Sequence, residues 1–314
     1  MSFAPKKQAF NAKINAVTLG TGDKAIVLGG QNVLPFYTFD APIENKPKVG
    51  AEITDAGMAM CTTDGLKAFY EGCATVADMA KRVETMTGAS FLTLNLEGAD
   101  PNGENKSVEE CVEMAKSVAA ATDLPLVIMG CKNADKDAEL FNKIAEALAG
   151  KNILVLSARE ENYKAVGASA GLAYNQKVGA ESAVDINLAK QLNTVMTQLG
   201  VNAQSIVMNA GSAAAGYGYE YVASTLDRIK AAALQQGDAQ LQMPIMTPVS
   251  TDAWGVKEAT AAEEEMPEWG SQEERAIEME VVTASACLAG GSDAVILRHP
   301  AAVEAIAKMI DALI

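Results

Sequence analysis

The chain has 314 residues, of which 49% are hydrophobic and only 5% aromatic, and its net charge is −15. The negative charge argues against nucleic acid and anionic membranes as partners, because both require a basic binding face. The length fits one α/β barrel of about 250 residues with a modest extension. Neither an apolar leader nor an apolar run of about 18 residues is present, so we expect a cytoplasmic protein.

The five cysteines and the single histidine indicate that the chain has no metal centre of its own. Cys61 and Cys73, the closest two cysteines, are twelve positions apart, so there is no CxxC pair for zinc or an iron–sulfur cluster. An odd number of scattered cysteines also argues against a secreted disulfide framework. With His299 as the lone histidine, a histidine-rich zinc triad is excluded.

The first 47 residues are predicted to form a small β extension. Three short β-like runs, "AKINAVTLG", "DKAIVLGG" and "VLPFYTFD", are separated by turn residues. Pro42 and Pro47 mark the junction with the remainder of the chain. We therefore expect an N-terminal β-hairpin extension over 1–47 and a second unit over 48–314.

From residue 48 onward, short apolar runs alternate with amphipathic helical segments. The predicted strands are 48–53, 91–96, 125–130, 152–157, 177–182, 205–210, 244–249 and 293–298. Repeated strand–helix alternation indicates parallel strands with right-handed crossovers. Eight units favour a closed (β/α)8 TIM barrel, with an open doubly wound sheet as the alternative. No GxGxxG motif follows a strand, so a dinucleotide-binding sheet has little support.

Local signals mark several helix ends. Ser107 and Glu110 form a capping-box pattern at the start of one amphipathic stretch. Another helix is predicted to begin after Asp185 and to stop at Gly200.

Polar residues that follow the strands are the candidate ligand contacts, because TIM barrels bind at the carboxyl ends of their strands. The predicted cofactor-binding residues are Asn95, Glu97, Asp100, Ser182, Asp185, Asn187, Asn209, Gly211, Tyr217, Tyr219, Arg298 and His299. Asp185 and Asn102 have a second interpretation, since Asp and Asn after a strand often cap helices or form turns. Glu97 and Asp100 are a possible acid/base pair, but acids in a polar loop are more often solvated, so no catalytic residue is predicted.

Two loops and the single histidine are further candidates for contacts with a ligand or a partner. The "GYGYEY" segment suits either a ligand or subunit contact or packing at a helix start. The loop after the seventh strand is about twenty residues long and carries Trp254 and Trp269, which predicts a partner-docking loop rather than a solvated lid. His299 precedes Pro300 at the first position of the last helix, so we expect a hydrogen-bonding role at the barrel mouth.

Several longer stretches resemble one known family. They include "VLGGQNVLPFYTFDAPIENKP", "LEGADPNGENKSVEEC", "GYGYEY", "PEWGSQEERAIEMEVVTASACLAGG" and "VILRHP", which span almost the whole chain in order. They resemble the small (delta) subunits of the corrinoid iron–sulfur protein, part of the CO dehydrogenase/acetyl-CoA synthase system of the Wood–Ljungdahl pathway.

The resemblance implies a barrel that pairs with a large (gamma) subunit. The large subunit carries the iron–sulfur cluster, and the two chains share a corrinoid at the barrel mouth. The corrinoid takes a methyl group from a methyl-tetrahydropterin held by a methyltransferase and delivers it to the nickel site of acetyl-CoA synthase. On this basis the chain houses a cofactor and supplies no catalytic acid or base.

Two other functions stay open at this point. One is a methyl-tetrahydropterin:corrinoid methyltransferase of the pterin-binding barrel class, in which Asn95, Asp100 and Asn209 would meet the pterin. The other is a scaffold subunit that stabilises the complex without touching the cofactor.

Overall fold

A computed structural model describes residues 6–314, so the first five residues of the predicted extension lie outside the described residues. The first two β-like runs form an antiparallel hairpin of β1 (Val17–Leu19) and β2 (Ile26–Leu28). The third run, 33–40, is not a strand. It forms turns, because Phe36 adopts a left-handed φ of 60° and the Tyr37 amide donates to the Leu34 carbonyl at 3.1 Å.

The eight predicted barrel strands are all present. They are β3 (Lys48–Thr54), β4 (Phe91–Asn95), β5 (Leu126–Met129), β6 (Leu154–Ala158), β7 (Lys177–Glu181), β8 (Ile206–Asn209), β9 (Met246–Thr247) and β10 (Ala294–Leu297). Parallel pairing runs from β8 back to β3 and on through β10 to β9. A parallel bridge between Met208 and Ile245 joins the two ends. The predicted TIM barrel is confirmed.

Helices lie between the strands, as the alternating pattern predicts, and two short ones fall within the segment that was expected to be a long loop after the seventh strand. They are α1 (Asp64–Phe69), α2 (Val76–Val83), α3 (Val108–Ala121), α4 (Ala134–Ala147), α5 (Tyr163–Val166), α6 (Ile186–Leu199), α7 (Tyr219–Leu234), α8 (Val249–Ala253), α9 (Lys257–Thr260), α10 (Gln272–Gly290) and α11 (Pro300–Leu313). The Ser107 and Glu110 capping box precedes α3, and Gly200 ends α6 with a φ of 109°. Within residues 6–314, no helix is sufficiently long and apolar to cross a membrane.

The hairpin fills the amino end of the barrel. Val17, Leu19 and Leu28 are at most 1% exposed and pack against alternate residues of the barrel strands. Those inward residues are Phe91, Val127, Met129, Leu154, Leu156, Val207, Met246, Ala294 and Ile296. The Gly20 amide also donates to the Asn152 carbonyl at 2.9 Å, just before β6 begins. The opposite, carboxyl end of the barrel is therefore the end left to a ligand.

Replacing Leu19 with alanine should destabilise the protein by about 2–5 kcal/mol, because the cavity left between hairpin and barrel cannot collapse. Urea denaturation measures the change in the free energy of unfolding. Thr18→Ala is the matched control, since Thr18 is exposed on the same strand and its loss should cost less than about 0.5 kcal/mol. Equal losses in the two variants would contradict the packing of the hairpin inside the barrel.

Candidate functional site at the carboxyl end of the barrel

The alternation that makes the barrel interior apolar places a polar layer at its carboxyl end. Successive side chains of a strand point to opposite faces, so each inward position recurs every second residue. At the inward positions nearest the carboxyl ends of the strands, five strands carry polar side chains. These are Glu52, Asn95, Glu181, Asn209 and Arg298. They divide into two groups with different access to solvent.

The first group is closed. Glu52 is fully buried, and its Oε1 accepts a hydrogen bond from Asn95 Nδ2 at 2.8 Å and one from Arg298 Nη2 at 3.4 Å. The Arg298 guanidinium also lies 5.4 Å from the centre of the Trp254 ring. Trp254 is itself only 8% exposed. This group is therefore a buried network that joins β3, β4 and β10.

Glu280 and His299 lie beside the closed group. Glu280 is fully buried on α10 and accepts the backbone amides of Arg298 at 2.6 Å and His299 at 2.9 Å. Burial raises the pKa of Glu280 to about 7, although these two hydrogen bonds oppose the shift. The carboxyl group thus holds the end of β10 against α10.

Both ring nitrogens of His299 are engaged within the chain. Nδ1 accepts the amide of Ala301 at 3.1 Å and so caps α11, while Nε2 lies 2.9 Å from Glu273 Oε1. Burial lowers the pKa of His299, and the Glu273 carboxylate offsets this only in part. The ring is therefore neutral with its proton on Nε2, and it has no free nitrogen for a metal or cofactor.

The second group opens into a cavity of about 250 Å³ at the barrel mouth. Arg159 follows β6, and its Nη2 donates to Glu181 Oε1 at 2.9 Å, with both side chains 24% exposed. Asn209 donates through Nδ2 to Ser157 Oγ at 3.1 Å and lies 3.5 Å from Glu181 Oε2. Lys132 completes the charged lining on this side.

Two further carboxyl groups line the cavity. Asp252 accepts a hydrogen bond from Ser212 Oγ, and burial raises the pKa of Asp252. Burial likewise raises the pKa of Asp137, which accepts the Cys131 amide at 2.8 Å. The cavity therefore offers closely spaced hydrogen-bond donors and acceptors. Within the described part of the chain, no cluster of three His, Cys, Asp or Glu side chains could hold a metal ion.

The predicted site residues separate in the structure. Asn209 and Gly211 line the cavity, whereas Asn95 and Arg298 belong to the closed group. Glu97 is exposed near the closed group, and partial desolvation by the surrounding protein raises its pKa. Ser182 is fully buried next to the cavity.

Asp100 and Asp185 accept hydrogen bonds from their own nearby backbone, and Asn187 provides one of the amides that Asp185 caps. Asp100 Oδ1 accepts the Asn102 amide at 2.9 Å and forms a turn. Asp185 Oδ1 accepts the amides of Asn187 at 2.7 Å and Leu188 at 3.2 Å, and thereby caps α6. For these residues the turn and cap interpretation describes what the structure contains.

The aromatic residues lie away from the cavity. Tyr217 is 52% exposed and donates to Glu258 Oε2 at 2.7 Å, while Tyr219 begins α7. The long loop is ordered into α8 and α9. Trp269 is 37% exposed with the Arg275 guanidinium 5.7 Å from its ring, whereas Trp254 is buried. Of the two tryptophans predicted to contact a partner, Trp269 is the one with an accessible ring.

Sequence reasoning missed most of the cavity. Arg159, Glu181, Asp252 and Lys132 line it, and none of them was among the predicted residues. Glu181 carried a usable signal, because it is a charged side chain at the last inward position of β7, where the strand reaches the carboxyl end of the barrel. Asp252 carried no such sequence signal, since the segment that forms α8 was predicted to be part of a loop.

Solved structures with the same architecture are dihydropteroate synthases. The enzyme from Xanthomonas albilineans with 4-aminobenzoic acid superposes with a TM-score of 0.57, 14% identity, and coverage of 95% of this chain and 98% of that one. The Vibrio fischeri enzyme gives a TM-score of 0.56 at 12% identity, with the same coverage. At these identities the likeness shows the fold alone, which is a TIM barrel.

Sequence comparison identifies the family. Residues 16–309 match the CdhD family, described as the CO dehydrogenase/acetyl-CoA synthase delta subunit. The acetyl-CoA decarbonylase/synthase complex subunit delta of Archaeoglobus fulgidus is 31% identical, over 99% of this chain and 71% of that protein. Its counterpart from Methanothermobacter thermautotrophicus is 32% identical, over 98% and 77%. The chain belongs to the CdhD family.

Glu280→Gln should remove a pH-dependent part of the stability. The folded-state pKa of about 7 lies above the ordinary value of 4.5, so between these values the folded chain keeps a proton that the unfolded chain has released. The wild type should lose stability relative to the variant as the pH rises through this window, by up to about 1.4 kcal/mol per pH unit. Urea denaturation at several pH values tests this, and a pH-independent difference would contradict it.

Proposed function

We propose that the chain is the small subunit of a heterodimeric corrinoid iron–sulfur methyl carrier, and that its barrel mouth covers the corrinoid. In this role the heterodimer carries a methyl group from a methyl-tetrahydropterin to the nickel site of acetyl-CoA synthase. The observation that carries the proposal is a polar cavity at the open end of the barrel, in a chain that matches the delta-subunit family over residues 16–309.

The cavity residues fit the periphery of a corrinoid. A corrin ring carries carboxamide side chains around its rim, and Arg159, Glu181 and Asn209 offer donors and acceptors for such groups. At about 250 Å³, the cavity is smaller than the roughly 300–1,000 Å³ typical of small-molecule sites, so it suits a side chain rather than a macrocycle. Thr251 also lines it, with a buried Oγ1 that has no hydrogen-bond partner in the described residues.

The contribution of this chain is binding and shielding. A bound corrinoid supplies a cobalt that accepts and releases a methyl group. The residues of the mouth would hold the amides, orient the ring and exclude water from the reacting face. His299 is already engaged on both nitrogens, which supports assigning any axial ligand of the cobalt to the large subunit.

An exposed apolar groove of about 460 Å³ supports a docking site for the large subunit. It is lined by Trp269, Met279 and Val282, and Val282 is 54% exposed although it lies in the middle of α10. Glu258, Glu278 and Arg275 also line the groove, so its charged rim is negative by one charge, which favours a partner with an apolar centre and a basic edge. A methyltransferase and acetyl-CoA synthase would be transient partners of the assembled heterodimer.

Trp269→Ala should weaken binding of the large subunit by about tenfold or more, because aromatic anchors dominate protein interfaces. Isothermal titration calorimetry on the two purified subunits measures the dissociation constant. Phe39→Ala is the control, since Phe39 is 64% exposed in the N-terminal segment and should change the constant less than about twofold. Similar losses in both variants, or none in either, would exclude this groove as the interface.

Anaerobic co-expression with a large subunit, followed by purification through a tag on this chain, tests the function itself. We expect cobalt near one atom per heterodimer, iron on the partner, and a visible spectrum that shifts on reduction and methylation. A stable heterodimer that contains no cobalt would support a scaffold subunit instead.

A methyl-tetrahydropterin:corrinoid methyltransferase is the second candidate. It is favoured by the fold, since a dihydropteroate synthase of Yersinia pestis with a pterine–sulfa conjugate superposes with a TM-score of 0.54. Transfer of a methyl group from methyl-tetrahydrofolate to added cobalamin by the isolated chain would establish this activity. A colourless chain with that activity would replace the corrinoid-covering proposal.

A further inference from the structure

The barrel contains an internal repeat that relates the two groups at its mouth. The pentapeptide "KVGAE" occurs twice, at residues 48–52 in β3 and at 177–181 in β7. β3 is the first barrel strand and β7 the fifth, so each copy lies in the first strand of one four-stranded half of the barrel. In each half the second strand ends in an inward asparagine, Asn95 in one and Asn209 in the other.

The fourth strand of each half is followed by an arginine. Arg159 comes directly after β6, and Arg298 directly after β10. In a closed barrel the fourth strand of one half lies beside the first strand of the other half. Accordingly β6 pairs with β7, and β10 pairs with β3.

Both halves build the same hydrogen-bonded triad. Glu52 contacts Asn95 at 2.8 Å and Arg298 at 3.4 Å. Glu181 contacts Arg159 at 2.9 Å and Asn209 at 3.5 Å. In each case the asparagine comes from the next strand and the arginine from the preceding one. Matching residue types, positions and contacts make the two triads equivalent under a pseudo-twofold rotation about the barrel axis.

The triads differ in access. Glu52 is fully buried, the Arg298 side chain is 14% exposed, and Trp254 covers the guanidinium. Glu181 and Arg159 are each 24% exposed and line the cavity of about 250 Å³. One copy of the repeat is therefore closed by the protein, and the other is open to a ligand.

The open triad selects against charged ligands. Glu181 and the carboxyl groups of Asp137 and Asp252 would disfavour an anionic ligand. Arg159 and Lys132 would repel a cationic ligand. A neutral planar group that carries an N–H donor beside a carbonyl oxygen satisfies both kinds of charge at once.

We infer that Arg159, Glu181 and Asn209 form a recognition site for a planar amide edge, with an N–H donated to Glu181 and a carbonyl accepting from Arg159. This inference deepens the proposed function and rests on the same barrel mouth. Two ligands present this edge: the carboxamide side chains of a corrinoid and the amino-oxo edge of a pterin.

The test compares matched variants of the two triads. The heterodimer, purified without cofactor, is titrated with dicyanocobinamide in one arm and with methyl-tetrahydrofolate in the other. Glu181→Gln should weaken binding of the ligand that binds the wild type by about tenfold or more, because the charge-assisted acceptor is lost and Arg159 is left without its carboxylate partner. Glu52→Gln, the same change at the equivalent position of the closed triad, should lower the melting temperature but alter the dissociation constant less than about twofold.

Arg159→Gln is the second open-triad variant and should give a similar loss of affinity, with thermal melting as the check on folding. Loss of cobinamide binding identifies the corrinoid as the source of the amide, and loss of methyl-tetrahydrofolate binding identifies the pterin. Cobinamide binding that is unchanged in both variants would overturn the inference while leaving the proposed function intact. A wild type that binds neither ligand would overturn both.

Discussion

Closure of the barrel depends on a buried carboxylate at its weakest seam. Asp293 Oδ2 accepts Lys230 Nζ from α7 at 2.8 Å and the Ile245 amide before β9 at 2.8 Å, and Gln31 of the N-terminal segment contacts the same carboxylate. The Lys230 and Asp293 side chains are 2% and 5% exposed. β9 has only two residues, so backbone pairing alone holds this seam weakly. Removing one partner of such a buried pair leaves an uncompensated charge, which is strongly destabilising.

Closure has a direct consequence for the site. Once the first and last barrel strands pair, Arg298 meets Glu52 across the junction of β10 and β3. The same geometry brings Arg159 to Glu181 between β6 and β7. The chain is strongly acidic overall, yet the arginines at the mouth are paired with carboxylates inside it rather than spread over the surface. The mouth thus combines a buried half that stabilises the barrel with an accessible half that can bind.

Much of the fold could be predicted because its signals are local. The strand at 177–182 is poor in large aliphatic residues, yet strand–helix alternation alone predicted it, and it pairs with strands on both sides. The starts of two helices could be predicted from side chains that accept hydrogen bonds from the nearby backbone, Ser107 and Asp185. The prediction of a β-like run at 33–40 was wrong, because the composition of this segment is typical of a strand while its backbone turns at Phe36.

The candidate site could be predicted only in part. Asn209 and Gly211 were predicted because they lie at the carboxyl end of a strand, and both line the cavity. Asp100 and Asp185 were chosen for the same reason, but short acidic side chains readily bond their own backbone, and both do so here. Trp254 was expected at a partner surface, whereas the closed barrel buries it against Arg298.

By itself, then, the sequence determined the parallel strands, the ends of several helices, the barrel class and the absence of paired cysteine ligands, since each depends on neighbours within a few residues. The tertiary structure decided which polar side chains share a cavity. Arg159 and Glu181 are 22 positions apart, and Asn209 is 28 positions beyond Glu181. They meet because adjacent strands pair and because alternate side chains of each strand point into the barrel. Neither of these constraints depends on how far apart the residues are along the chain.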